Sequence, residues 1–228
     1  LIWCMSADEK RKKSSWFTDP DEATEYAESV CDQYNVYFGM GLASNAGDEH
    51  HRIPSNEVAA IAFLWADVDY FGSHHTKTNL PQTLEEALEF VREIPLQPTA
   101  IVHSSGGLHV YWKLVEPWEF DTVEERATGA KLVADWIDTI RALGRRRGWD
   151  FDAVKDLARV LRVPGTLNHK DTPPQPVRLL EYHDDRCYNP SDFEEYLLPL
   201  MATPGNQSSS PTPPGVAQVV IGDIMLDP

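Results

Sequence analysis

Apolar residues recur along this chain with two periods, and stretches of the two kinds alternate. Spacings of three and four residues predict helices, which begin near residues 20, 83, 123 and 191. Continuous or alternating apolar runs predict strands, at residues 36–42, 58–66, 99–103, 108–115 and 177–182. This mixture predicts an α+β fold. From residue 202 to residue 228 the chain is rich in Pro, Ser and Gly, which indicates a linker after a folded region of residues 1–201.

The strand predicted at residues 58–66 is apolar throughout and is followed at once by Asp67 and Asp69. Because side chains alternate along a strand, these two carboxylates project from the same face at its C-terminal end. Two converging carboxylates favour a divalent-cation site. The alternative is an ordinary solvated turn, since Asp is common where strands end.

Gly106 and Gly107 separate the next two predicted strands, and this spacing predicts a tight hairpin. Alternation sends Leu108 and Val110 to the core and His109 to the opposite, outward face near the turn. A histidine there could serve a site, or it could be a half-exposed residue of an amphipathic strand.

Charged residues of both signs gather in residues 148–170. Arg159 and Arg162 lie three apart, so on a helical turn they would share a face and offer two planar groups to phosphate oxygens. An exposed basic patch is the alternative interpretation. Three aspartates precede the pair, namely Asp150, Asp152 and Asp156. A local ion pair with the arginines accounts for Asp156 without any catalytic role.

Taken in order, these segments resemble the archaeo-eukaryotic primase superfamily, most closely its primase-polymerase branch in phages, plasmids and other mobile elements. Asp67-Val-Asp69 resembles the first motif, a D-x-D metal site. Ser105-Gly-Gly-Leu-His109 resembles the second motif, whose histidine contacts the incoming nucleotide. The resemblance covers roughly residues 15–185.

Trp149-Asp150 resembles the third motif, an apolar residue followed by the last metal carboxylate. Asp152 is the second choice for that carboxylate. The stretch from Arg159 to Lys170 is similar to the nucleotide-binding segment of the family. The resemblance therefore implies a metal set of Asp67, Asp69 and Asp150. It also implies nucleotide-binding residues, namely Ser104, Ser105, Gly107, His109, Arg159, Arg162, Asn168 and Lys170.

The implied fold has a mixed or antiparallel sheet, with an RRM-like palm and an N-terminal α/β lobe. The implied activity is nucleotidyl transfer that makes or extends primers on single-stranded DNA from ribo- or deoxynucleoside triphosphates. Two Mg²⁺ or Mn²⁺ ions held by carboxylate oxygens would activate the attacking hydroxyl and stabilise the leaving pyrophosphate. Relatives usually work with a helicase, so a helicase domain or protein is the expected partner.

Composition restricts the picture further. At 228 residues with 42% hydrophobic content, the chain can form one large domain or two packed lobes. A net charge of −16 argues against a surface that grips nucleic acid everywhere. Residues 141–178, however, hold seven Arg and two Lys against four Asp, so this region carries +5 and could face a template. We expect weak, salt-sensitive template binding.

The three cysteines are scattered singly and no histidine doublet has partners at zinc spacing, so we predict a reducing cytoplasmic location and no zinc. No apolar stretch is long enough to predict a membrane span. A Rep-type nicking endonuclease is an alternative, but it needs two histidines flanking one apolar residue, and His109-Val-Tyr111 lacks the second. A non-catalytic nucleotide- or DNA-binding module is a further alternative, against which the intact carboxylates speak.

Overall fold

The computed structural model describes residues 1–72 and 77–197. The predicted linker at residues 202–228 lies outside the described residues. In the described part the helices are α1 (Pro20–Val30), α2 (Leu84–Arg92) and α3 (Val123–Arg146). The strands are β1 (Ile2–Met5), β2 (Lys12–Ser15), β3 (Asn35–Gly39), β4 (Gly41–Leu42), β5 (Ala60–Asp69), β6 (Ala100–His103), β7 (Gly107–Glu119), β8 (Val160–Arg162), β9 (Leu167–Asn168), β10 (Gln175–Pro176), β11 (Arg178–Tyr182) and β12 (Cys187–Tyr188).

The larger sheet has the strand order β11-β6-β7-β5-β4, and β12 pairs with β7 in parallel. The other pairings in this sheet are antiparallel, and β6 and β7 form the hairpin that the two glycines predicted. One face is covered by α3, where the indole rings of Trp112 and Trp136 meet edge to face at 5.1 Å. Leu108 and Val110 are fully buried on this face, as alternation predicted. The α+β fold is confirmed.

The smaller sheet has the order β2-β1-β3-β8, and its residues come from both ends of the motif-bearing region. It covers the second face of the larger sheet, where the ring of Phe38 on β3 lies 5.9 Å from that of Tyr111 on β7. Residues on this second face are therefore buried too, and His109 is only 3% exposed. The prediction that His109 faces outward is wrong, because a half-buried strand was assumed where both faces are covered.

Helix beginnings follow the sequence closely. The side chain of Asp19 accepts a hydrogen bond at the start of α1, and Thr83 does so at the start of α2. Thr122 and Glu125 form a reciprocal capping box on α3. The helix predicted near Ser191 is instead a 3-10 helix, Pro190–Tyr196, capped by Asn189. Leu200, which was expected in it, lies outside the described residues.

The single strand predicted at residues 36–42 is two strands in two sheets. β3 belongs to the smaller sheet and β4 to the larger one, and the amide of Met40 between them donates to the carbonyl of Arg159 at 2.8 Å. β1 and β2 were not predicted, since both are short and β2 is mostly polar. In the described residues, none of the helices combines the length and apolar character that crossing a membrane requires.

Candidate active site

The antiparallel pairing of β5 with β7 places the first two motifs side by side. Asp67 stands directly opposite His109, and Asp69 stands opposite Gly107. Directly opposed residues share a face and have neighbouring side chains. The two carboxylates and the imidazole thus converge on one cleft.

Burial dominates the electrostatics of the carboxylate pair. It raises the pKa of Asp67 to about 6, an effect that the nearby Arg162 opposes. It raises the pKa of Asp69 to about 8, with the charge of Asp67 adding to the rise. Both shifts disfavour the ionised forms, because two negative charges stand close together with little solvent. Ionised carboxylates suit a hard divalent cation such as Mg²⁺ or Mn²⁺, and a bound cation would relieve the repulsion between them.

His109 is a neutral imidazole at physiological pH. Burial, followed by the positive charge of Arg162, lowers its pKa to about 3. Its Nε2 lies 4.0 Å from Oδ1 of Asp67, and its buried Nδ1 has no hydrogen-bond partner among the described residues. A buried ring nitrogen without a partner is costly, and the ring itself lines the cleft.

The structure brings Asp152, rather than Asp150, to the cleft. Asp152 lines the cleft with Asp67 and Asp69, and its charge raises the pKa of both. The carboxylate of Asp150 instead faces Arg141 at 3.3 Å. Within the described residues no three His, Cys, Asp or Glu side chains are gathered closely enough to hold a metal as they stand.

Lys77 holds Asp152 in place, and the sequence analysis missed it. Its Nζ donates to Oδ1 of Asp152 at 2.7 Å and to the carbonyl oxygen of Asp150 at 3.1 Å. Lys77 lies in a polar stretch between β5 and α2 without any motif, so no sequence signal marked it.

Arg162 and Asn168 join the second motif to the cationic segment. Nη2 of Arg162 donates to Oδ1 of Asn168 at 3.0 Å. Nδ2 of Asn168 donates to the carbonyl oxygen of Ser104 at 3.0 Å and to Oγ of Ser105 at 2.5 Å. The amide of Lys170 donates to the same Oδ1 at 3.1 Å. One buried side chain therefore fixes the hairpin turn, the arginine and the backbone at the lysine.

Arg159 and Arg162 do not share a helical face, so that prediction is wrong. Arg162 ends strand β8, paired with β3, and its guanidinium lies over the ring of Tyr37 at 5.1 Å. Residues three apart on an extended chain point to opposite sides. Arg162 lines the cleft, whereas Arg159 pairs with Asp156 at 2.6 Å, which confirms the local ion pair expected for Asp156.

The hairpin turn is tightly constrained at two positions. Ser105 has φ 76°, in the left-handed region that non-glycine residues rarely adopt. A Cβ at Gly107 would lie 2.6 Å from Oδ1 and 3.1 Å from Cα of Asp69. Glycine at this position therefore makes room for the second carboxylate.

The resulting cleft has a volume of about 270 Å³ and is almost entirely polar. Its lining combines three carboxylates and a neutral imidazole with the cations of Arg162 and Lys170 and the amide of Asn168. The cleft thus combines oxygen ligands for a hard metal ion with positively charged side chains that suit phosphate. This combination is typical of a class of enzyme, the metal-dependent nucleotidyltransferases.

Comparison with known families then identifies the chain. It belongs to the family of the RepB DNA-primase N-terminal domain, whose model matches residues 68–202, and it is a DNA primase-type nucleotidyltransferase. The resemblance to the archaeo-eukaryotic primases is thereby confirmed. Members of that superfamily use divalent metal ions. The nicking-endonuclease alternative gains no support from this match.

Solved structures with a similar fold include the AEP domain of the primase-polymerase of cyanophage S-2L. It shares 12% identity and a TM-score of 0.57 over 86% of this chain and 88% of that one. Primase RepB′ shares 14% identity and a TM-score of 0.47 over 79% of this chain and 50% of its own. The RepB′ catalytic domain in complex with initiator DNA shares 16% identity and a TM-score of 0.45, over 79% and 75%. Curated protein sequences give no match.

Proposed function

We propose that this cleft catalyses template-directed joining of nucleotides on single-stranded DNA, either starting a new strand or extending one. The observation that carries the proposal is the register that sets Asp67 beside His109, with Arg162 lining the same cleft. The RepB′ catalytic domain has been crystallised with initiator DNA, which supports a DNA template here.

Asp67 and Asp69, joined by Asp152, would hold Mg²⁺ or Mn²⁺. The bound cations would lower the pKa of the attacking hydroxyl and offset the charge of the leaving pyrophosphate. Asp152 is preferred to Asp150 because it lines the cleft, whereas the carboxylate of Asp150 faces Arg141.

The same cleft binds the nucleoside triphosphate. Arg162 and Lys170 carry the positive charge that developing phosphate charge requires, and His109, which also lines the cleft, offers a neutral imidazole as a hydrogen-bonding group. Ser104, Ser105 and Gly107 shape the turn against the phosphates, and Asn168 holds that turn in place. Arg159 acts at longer range, through its charge on Asp67.

Two further elements of the proposal concern the setting of the enzyme. A helicase domain or protein would supply the unwound template, as in related replication systems. Three free cysteines, Cys4, Cys31 and Cys187, fit a reducing cytoplasm.

The test is a product assay on single-stranded DNA with Mg²⁺ or Mn²⁺ and labelled ribo- or deoxynucleotides, with and without an annealed primer. New oligonucleotides without a primer would establish strand initiation, and products formed only with a primer would establish extension alone. Asp67→Asn/Asp69→Asn protein should make neither. If the wild-type protein gives no product under any condition while it still binds template, the proposal is wrong and a binding module remains.

A further inference from the structure

A second cavity lies on the same face of the larger sheet as the active cleft, and the proposed chemistry makes no use of it. Its volume is about 230 Å³, and its walls are wholly apolar. The lining includes four aromatic rings, from Phe38, Phe63, Tyr111 and Tyr182, together with Leu179 and Pro164. We call this cavity the aromatic pocket.

Strand pairing places the aromatic pocket beside the cleft. Val102 pairs with His109 on one side and with Leu179 on the other, so the three residues form a row across the sheet. Neighbouring strands are about 4.8 Å apart, which puts Leu179 roughly 10 Å from His109. Pro164 follows Arg162 by two residues, so one turn borders both cavities.

The mouth of the pocket exposes large apolar side chains that are nonetheless held in position. Tyr182 is 56% exposed and Leu179 is 51% exposed. The hydroxyl of Tyr182 donates to Oδ1 of Asp184 at 2.8 Å, and Nζ of Lys113 approaches the same oxygen at 3.0 Å. The ring is thus fixed before any ligand arrives, and the lysine balances the charge of the aspartate.

We propose that the aromatic pocket binds one unstacked base of the single-stranded DNA that enters the active cleft. Rings of this kind provide the stacking surfaces on which proteins bind single strands without reading their sequence. The cavity is small and lies about two strands from the cleft, which suits a single flat base on a strand already held there. A partner protein, by contrast, would need several hundred Å² of contact. The inference rests on the proposed function, because it names where the substrate of that same site is held.

The test measures binding of a labelled single-stranded oligonucleotide by fluorescence anisotropy, without nucleotide or metal. Tyr182→Ala should weaken binding about tenfold, the loss expected when one base loses its stacking partner. Tyr182→Phe keeps the ring and loses only the bond to Asp184, so it should bind much closer to the wild type than Tyr182→Ala does. Val115→Ser removes an equally exposed apolar side chain that does not line the pocket, and it should also leave affinity unchanged.

An oligonucleotide with abasic sites throughout separates base binding from backbone binding. Wild-type protein and Tyr182→Ala should bind this strand equally. Photocrosslinking of 5-iododeoxyuridine oligonucleotides to wild-type protein should label the peptide that contains Tyr182 or Phe63. This second readout does not depend on a variant that folds.

Equal binding of the normal oligonucleotide by wild type and Tyr182→Ala, with no crosslink at the pocket, would overturn the inference. So would a change in oligomeric state caused by Tyr182→Ala without a change in DNA affinity, since the pocket would then contact a second copy. Product formation by wild-type protein is measured separately. Pocket-dependent binding without any product would contradict the proposed function alone.

Discussion

Asp67 and Asp69 are residues at which folding and chemistry make opposite demands. Activity requires two ionised carboxylates near a cation, whereas burial favours their neutral forms and raises the pKa values to about 6 and about 8. Both values exceed the ordinary 3.8, so the folded protein holds more protons than the unfolded chain between these limits. The free energy of unfolding without metal should therefore fall as the pH rises from about 4 to about 8.

We predict that Asp67→Asn/Asp69→Asn flattens this pH dependence and raises the free energy of unfolding at neutral pH by about 2 kcal/mol, because the buried charges are gone. Thermal melts in a chelator at about pH 5 and about pH 8 would show it. Adding Mg²⁺ or Mn²⁺ should raise the melting temperature of the wild type alone. Equal stabilisation of the variant by either ion would mean that the cation binds elsewhere.

Gly107 offers a second prediction at this scale. Gly107→Ala would place a methyl group 2.6 Å from Oδ1 of Asp69, so the carboxylate must move. A displacement near 1 Å can cost about 100-fold in rate, and we expect kcat to fall by that order with the fold intact. Gly72→Ala is the matched control, because the nearest atom to its added methyl would be 4.0 Å away. Primer-extension kinetics and thermal melts of both variants make the comparison, and an unchanged kcat for Gly107→Ala would contradict it.

Strand β8 shows that the type of element decides whether two residues three apart lie on the same side of the chain. Arg159 and Arg162 would act together on a helix, but β8 pairs with β3 and only Arg162 lines the cleft. The side chain of Arg162 is held between the ring of Tyr37 and Oδ1 of Asn168. Sequence period alone could not separate a helical turn from a three-residue strand, because the segment is too short to show either period.

The two arginines should therefore behave differently. Arg162→Gln removes a charge that faces the proposed triphosphate site, and we expect KM for the nucleotide to rise about 10- to 100-fold, as for a lost charge-assisted contact. Arg159→Gln should change KM less than about threefold, because that side chain is paired with Asp156 near the surface. Steady-state nucleotide titrations measure both values. An equal rise in KM for both variants would mean that Arg159 contacts the nucleotide as Arg162 does.

At the scale of the whole molecule, the basic region at residues 141–178 has fewer cations available for DNA than its composition suggests. Four of its cations form ion pairs with carboxylates, namely Arg141, Arg147, Lys155 and Arg159. The whole chain carries a net charge of −16. A strand bound by so few available cations depends on local contacts more than on long-range attraction.

We accordingly predict a shallow salt dependence for binding of single-stranded DNA. With about three or four phosphates contacted, the slope of log K against log salt should be about −2 to −3. Anisotropy titrations across a series of NaCl concentrations give this slope, with Arg162→Gln as the variant that should reduce it by less than one unit. A slope steeper than about −5 would mean that the ion-paired arginines open to grip the backbone.

The sequence by itself determined the α+β class, the hairpin, the helix caps and the shared face of Asp67 and Asp69. These features depend on alternation and on turn and cap residues, which act between near neighbours in the chain. The order and spacing of the motifs also predicted the primase family, which the family match confirms.

Only the tertiary structure decided that Asp152 rather than Asp150 lines the cleft, that Lys77 holds it, and that His109 is buried and neutral. Each of these depends on contacts between segments far apart in sequence. Burial of His109 requires the smaller sheet to cover the larger one, and a strand's own pattern does not reveal what covers its second face. The carboxylate of Asp152 pairs with Lys77 at 2.7 Å, whereas that of Asp150 pairs with Arg141 at 3.3 Å and with the same lysine at 3.5 Å, so contacts with cations distant in sequence orient both aspartates.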